Sequence, residues 1–144
     1  MPQGVRHVRQ ATAKDSDALF SMAESLATTF VLEPRSFRES FDFLESDQAA
    51  RLLVAEGEKG LLEGYLLGFT HFTLFANGTV GWIEEMYVSE TARRNGVGTE
   101  LERAFEEWAK DRGATLIALA TRRAAPFYSV LGFEESAVYF RKLL

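Results

Sequence analysis

The apolar positions change their period several times along the chain, and each change marks an element. Val5 to Arg9 alternates and predicts a short strand. "TAKDSD" follows and offers Thr12 or Asp15 as the cap of a helix whose apolar residues Leu19, Met22, Ala23 and Leu26 recur at helical spacing. A second helix is predicted after Pro34, with Phe37, Phe41 and Leu44 on one face. The connection "TTFVLEP" is polar and apolar by turns, a character that suits the lining of a pocket. From Arg51 the period becomes that of strands: "RLLVAE", a turn at "GEKG", then "YLLGFTHFTLF" form two strands of a meander. Asn77-Gly78 predicts a type I′ hairpin turn, whose two central residues need positive φ, leading into the strand "TVGWIEEMYV".

After the short linker "SETA" comes "ARRNGVGTEL" and then a helical face made of Leu101, Ala104, Phe105, Trp108 and Ala109, closed by Gly113. "ATLIALAT" is a continuous apolar run, the pattern of a strand covered on both faces. A short helix is predicted around "APFYSVL", ending at Gly132, and "AVYFRKLL" predicts a last strand. No repeat, low-complexity tract or linker interrupts residues 1–144, which read as one mixed α/β domain.

Composition narrows the chemistry. The chain has 144 residues, 47% of them hydrophobic, enough for one filled core and short for two. Sixteen Lys plus Arg against twenty-one Asp plus Glu give a formal charge of −5, which serves solubility and argues against a broad nucleic-acid surface. It mildly favours cationic or neutral substrates. The absence of cysteine excludes a disulfide scaffold, a thiolate metal site and a cysteine nucleophile, so any thiol must arrive with a cosubstrate. His7 and His71 have no metal-ligand spacing, complete no recognisable Ser-His-Asp set, and read as structural; no metal is expected. "MPQGVRHVRQ" lacks the apolar core of a signal peptide, and no apolar segment approaches a membrane span, so the expected location is cytoplasmic.

The stretch Ala92 to Leu101 carries the sharpest chemical signal. A helix start leaves backbone N–H groups without internal partners, and with the helix dipole they attract phosphate. Gly96 and Gly98 remove the Cβ atoms that would hold a diphosphate away, while Arg93 and Arg94 add charge. A dinucleotide fingerprint requires a third glycine where this chain has Leu101, and no Gly-Lys-Ser/Thr of a P-loop occurs.

"WIEEMYVSETARRNGVGTEL" resembles the core motif of the GNAT N-acetyltransferase superfamily, Arg/Gln-x-x-Gly-x-Gly/Ala after a Glu-containing strand, with Arg93-Arg94-Asn95-Gly96-Val97-Gly98 matching position by position. "APFYSVLGF", residues 125 to 133, is similar to the later family segment in which a tyrosine precedes Leu-Gly-Phe. The resemblance covers nearly the whole chain. It implies a GNAT-type fold, with a central mixed, mostly antiparallel sheet of about seven strands flanked by about four helices and splayed to admit acetyl-CoA as cosubstrate. It further implies that main-chain groups of Met86, Tyr87 and Val88 hold the pantetheine and thioester, and that Asn95, Val97 and Thr99 join Arg93, Arg94, Gly96 and Gly98 around the diphosphate. Thr121 stands where many members carry asparagine, and is the candidate polar contact there. Dimerisation is common among members, so a homodimer is a possible state.

Acetyl transfer from a thioester to a primary amine needs a neutral amine, support for an oxyanion and a proton for the departing thiolate. An amine with a pKa of about 10.4 is free base at pH 7 only roughly once in two thousand, equivalent to about 4.6 kcal/mol. Glu84 and Glu85 are the carboxylates on the strand that borders the thioester, and either is a candidate base or a solvated ion-pair partner. Adjacent strand residues face opposite sides, so at most one reaches the acceptor directly unless a bulge intervenes. The family match makes Tyr128 the candidate general acid or thiol-positioning group. Trp82, Tyr87, Phe30, Phe37, Phe41 and Phe43 are expected mainly in the core, with room for one or two to shape the acceptor pocket, and Arg122 and Arg123 either meet cofactor phosphate or stay at the surface. The expected activity is direct acetyl transfer to a small-molecule or protein amine. The alternatives are a non-catalytic acyl-CoA-binding regulatory module and a structural interaction domain.

Overall fold

The computed structural model describes residues 6–144. Strands β1 (His7–Gln10), β2 (Ala50–Glu56), β3 (Leu62–Phe72), β4 (Thr79–Val88) and β5 (Ala114–Leu119) form one sheet in the order β1-β2-β3-β4-β5. The first four pair antiparallel, and β5 runs parallel to β4. Four α-helices accompany them: α1 (Ser16–Leu26), α2 (Pro34–Ser46), α3 (Val97–Asp111) and α4 (Ala125–Val130). Val5, predicted to open the first strand, lies outside the described residues.

The two-residue period of β2 divides the core. Leu53 and Ala55 face α3 with Leu66, Leu101 and Phe105, whereas Leu52 and Val54 face α1 and α2 with Leu19, Phe41, Tyr65 and Leu67. The sheet is therefore covered on both faces at its centre. Phe105 reaches close to the strands because position 68 is glycine; a Cβ there would stand 2.3 Å from the Phe105 ring.

Of the two candidates, Asp15 takes the N-cap position of the first helix, without a side-chain bond to it, and Thr12 that of the turn before it. The Thr12 N–H donates to Asp15 Oδ2 at 2.8 Å across a 3₁₀ turn, Ala13–Asp15, and α1 starts at Ser16. Asp15 also pairs with Arg9 at 2.8 Å, tying β1 to this junction. At α2, the Glu33 carboxylate accepts from the Ser36 N–H at 3.0 Å and caps the helix ahead of Pro34.

Three expectations are corrected. The strands joined at Asn77-Gly78 end at the pair Phe72↔Thr79, leaving a loop of residues 73–78 rather than a two-residue turn. Asn77 alone has the left-handed φ, 61°. Thr73 Oγ1 holds the loop, donating to Gly78 O at 3.0 Å and accepting from the Ala76 N–H at 3.1 Å. The consecutive positive φ values occur instead at Lys59 and Gly60, in the β2–β3 connection. Second, β5 is covered on one face only, by α3; Leu116, on the other face, is exposed because α1 and α2 lie over β2 to β4. Third, "AVYFRKLL" forms no strand, so the sheet has five strands among the described residues, not about seven. A strand exists only through pairing, and this segment engages side chains instead. Tyr139 stacks on Trp82 with ring centroids 6.5 Å apart, and Arg141 Nη1 donates to Thr29 Oγ1 at 3.0 Å.

Candidate active site

The site begins with one extra residue in β4. Leu67 pairs with Glu85 and Gly68 with Ile83, so Glu84 has no opposite number and forms a bulge. Ile83 and Met86 consequently both pack on the α3 side although they are three residues apart. The intervening glutamates diverge by environment rather than by simple alternation. Glu84 is exposed and accepts from Trp82 Nε1 at 2.7 Å, while Glu85 lines a cavity.

The β4–β5 ladder ends at Ile83↔Leu119, whereas β4 continues to Val88 against β3 alone. From Glu84 onward its other edge is unpaired by β5. The Ser89 N–H bonds Glu63 O of the β3 segment at 2.9 Å, so by strand alternation Tyr87 also directs its main chain to β3. Met86 and Val88 direct theirs to the open edge, and Arg93 Nε donates to Val88 O there at 3.0 Å.

The cavity, about 560 Å³, lies between α1, α2 and the sheet. Residues 30–33 of the connection "TTFVLEP" line it, in keeping with their mixed character. Its walls are largely apolar, with Leu19, Leu26, Phe37, Phe41 and Leu67 among them. On its sheet side the Tyr65 hydroxyl donates to Glu85 Oε1 at 2.8 Å. Burial raises the pKa of Glu85, the Tyr65 hydrogen bond opposes that rise, and the charge of Glu84 adds to it. Tyr65 is held far above its ordinary value, first by burial and then by the Glu85 charge.

At the start of α3, Gly96 takes φ 81° and nothing lies within 4 Å of where its Cβ would be. The first helical bond runs from the Glu100 N–H to Gly96 O at 3.0 Å. The N–H groups of Val97, Gly98 and Thr99 meet no acceptor among the described residues. Asn95 contributes its carbonyl, which accepts from Arg6 Nη1 at 3.1 Å; Arg6 also pairs with Glu100 at 3.2 Å. These open donors beside a glycine fit a diphosphate. Arg94 is exposed and makes no ion pair with a described residue. Two of the expected cofactor residues make further contacts within the protein. Arg93 is turned back onto Val88 O, with its guanidinium 5.9 Å from the Tyr87 ring centre. Gly98 makes room for Phe127, whose Cζ would stand 3.0 Å from an added Cβ, and so admits α4 against the beginning of α3.

Tyr128 is buried on α4, its ring edge-on to Phe127 at 5.0 Å and Phe133 at 5.6 Å. Its hydroxyl makes no hydrogen bond to a described residue, and burial, aided by the charge of Glu102, pushes its pKa up to about 12. Thr121 Oγ1 accepts from the Ala124 N–H at 3.0 Å and shapes the turn before α4. Arg122 and Arg123 are exposed.

Two residues escaped the sequence reading. Tyr65 is the partner of Glu85, and only the strand register brings them together. Glu102, 2% exposed with an unpartnered Oε1, lies near Tyr128. Its signal was positional: it stands one helical turn after Gly98, on the stripe that faces α4.

Residues 18–133 match the model of the acetyltransferase (GNAT) family. The chain belongs to this family. Acetyl-CoA is the cosubstrate of this GNAT acetyltransferase, as the family resemblance implied. It is 30% identical over 146 aligned residues to an aminoalkylphosphonate N-acetyltransferase of Salmonella typhimurium, covering 97% of this chain and 92% of that protein. It is 36% identical to an aminoglycoside N(6')-acetyltransferase of Klebsiella aerogenes, over 57% of this chain and 62% of the relative. An aminoglycoside N-acetyltransferase solved in complex with CoA shares the fold of this GNAT chain with a TM-score of 0.84 at 18% identity, covering 99% and 98% of the two chains. No helix among the described residues is long and apolar enough to cross a membrane.

Proposed function

We propose that this acetyltransferase, acting as a single domain over 1–144, moves acetyl from acetyl-CoA to a primary amine by direct attack in a ternary complex. The observation that carries the reading is Glu85: a carboxylate inside a cavity, on the stretch of β4 that β5 leaves unpaired. Acetyl-CoA supplies an activated acetyl group. The N–H groups of Val97, Gly98 and Thr99, with Arg94, receive its diphosphate, and the main-chain groups of Met86 with the N–H of Val88 hold its pantetheine. Arg93 fixes the end of that edge through Val88 O rather than meeting phosphate.

Glu85 accepts the proton of the bound ammonium, either directly or through one water, and Tyr65 orients the carboxylate by occupying Oε1. Glu84 has no part in this step; its place is the bulge and the Trp82 contact. Tyr128, a phenol whose raised pKa keeps it protonated across the working range, delivers the proton to the departing thiolate, while the proton shed by the attacking nitrogen leaves to solvent, which reloads the phenol. The thiol never needs a protein nucleophile, consistent with a chain lacking cysteine.

A thiol-release assay with acetyl-CoA over a panel of primary amines tests the proposal. Amine-dependent release is expected. CoA binding detected by thermal stabilisation, with no release for any amine, would leave a binding module instead.

A further inference from the structure

The amine relatives of this chain take polar, multiply charged molecules by name: an aminoalkylphosphonate in one case, aminoglycosides in the other. The cavity around Glu85 has a different chemistry. No lysine, arginine or histidine lines it, so a phosphonate would enter without a cation and beside a carboxylate. On adjoining segments, Arg35 pairs with Glu39 at 3.3 Å and Arg141 donates to Thr29 Oγ1, while Arg38 of α2 is exposed and does not line the cavity.

Negative charge is scarce too. Glu33 and Glu85 are the acidic lining residues, and Glu33 is spent on the α2 cap, where it accepts from the N–H groups of Arg35 and Ser36 and from the Ser36 hydroxyl. Glu33 keeps its charge at the exposed start of α2, and Glu85 is the carboxylate on the sheet side of the cavity, placed for one ammonium. An aminoglycoside would bring several ammonium and hydroxyl groups against leucine and phenylalanine walls that offer them no partner. At the mouth, Phe30 and Val31 are 70% and 95% exposed, apolar surface that only an apolar ligand body would cover. A volume near 560 Å³ suits a drug-sized or smaller molecule.

We propose that the acceptor is a primary monoamine carried on an apolar, ring-bearing or branched body, with Glu85 meeting its single ammonium. This rests on the acetyl-transfer reading for turnover, but the selectivity itself is a property of the cavity. Burying a ring that the solvated alternatives lack should favour such an amine by about ten- to a hundredfold.

The test compares 2-phenylethylamine, 2-aminoethylphosphonate and kanamycin on the full chain, by kcat/KM in thiol release and by calorimetric binding in the presence of CoA. Expected is a ten- to hundredfold preference for phenylethylamine in both measurements. Ser40→Arg, at an exposed lining position, should shift the ratio toward the phosphonate without loss of fold. Selective phenylethylamine binding without turnover would remove the acetyl-transfer reading and keep the ligand class. Equal or better use of the phosphonate or kanamycin, or no calorimetric binding of any of the three, would overturn the ligand class. In the first of those outcomes acetyl transfer would stand.

Discussion

Glu85 acts as a base only when ionised, and its burial raises the pH at which that happens. Activity should therefore fall as pH drops through a value above the ordinary glutamate pKa of about 4.3. Glu85→Gln is expected to lower kcat/KM by about 10²–10⁴-fold and to abolish that acidic limb, whereas Glu84→Gln should leave both near wild type. Equal losses from the two substitutions would end the distinction between them. For Tyr128 the sign is opposite. Its proton is held up to a pH of about 12, so the donor stays loaded through the alkaline range. Tyr128→Phe should reduce kcat with little change in CoA binding, and unchanged kcat and CoA affinity would assign the ring to packing alone. The glutamate choice was illegible beforehand because strand alternation, the rule that sequence supplies, breaks at the bulge that only the β3 partner reveals.

The start of α3 and the short α4 work as one unit through Gly98 and Phe127. Gly98→Ala gains part of the interior helix-propensity difference of about 1 kcal/mol, since it lies in the first turn, and this offsets the crowding of a 3.0 Å approach to Phe127. The melting temperature should hardly move, yet displacement of Phe127 carries its neighbour Tyr128 with it, so kcat should drop. Wild-type kcat in this variant would show that α4 does not depend on the close approach. At the other end of the fold, Asp15 joins β1 to α1 through Arg9 and the Thr12 N–H. Asp15→Asn breaks a largely buried pair and should cost about 1–3 kcal/mol in urea melts. The elements themselves were readable: α2 behind Pro34, α3 closed by Gly113 and α4 ending before Gly132 follow local cap and period rules. The loop at 73–78 was not, because its length is set by the Phe72↔Thr79 pair and not by the Asn-Gly within it.

Across the whole molecule, buried carboxylates give stability a pH dependence of two signs. The Arg9 ion pair holds Asp15 below the usual range, so its contribution is present above the unfolded value of about 3.9 and is lost as pH falls through the depressed one. Burial pushes Glu102 up to about 7, so the fold is least burdened below about 4.3 and loses stability as pH rises through 7. Wild-type melting temperature should therefore decline from pH 5 to pH 8. Glu102→Leu should remove much of that decline, stabilising the fold at pH 8 by about 1–3 kcal/mol and far less at pH 5. An equal gain at both pH values would refute the ionised-carboxylate cost.

The amino-acid order alone determined which segments are helices and strands across most of the chain, and it located the glycine-containing helix start and the tyrosine-bearing helix, because caps, glycines and periodicity are local properties. Tertiary structure decided which glutamate enters the cavity, that Arg93 serves the backbone, that Glu102 lies near Tyr128, and that the last residues leave the sheet for Trp82 and Thr29. Each of those outcomes depends on a partner distant in sequence. A strand's register, a side chain's burial and a carboxylate's proton affinity are set by what lies opposite, and no window along the chain contains it.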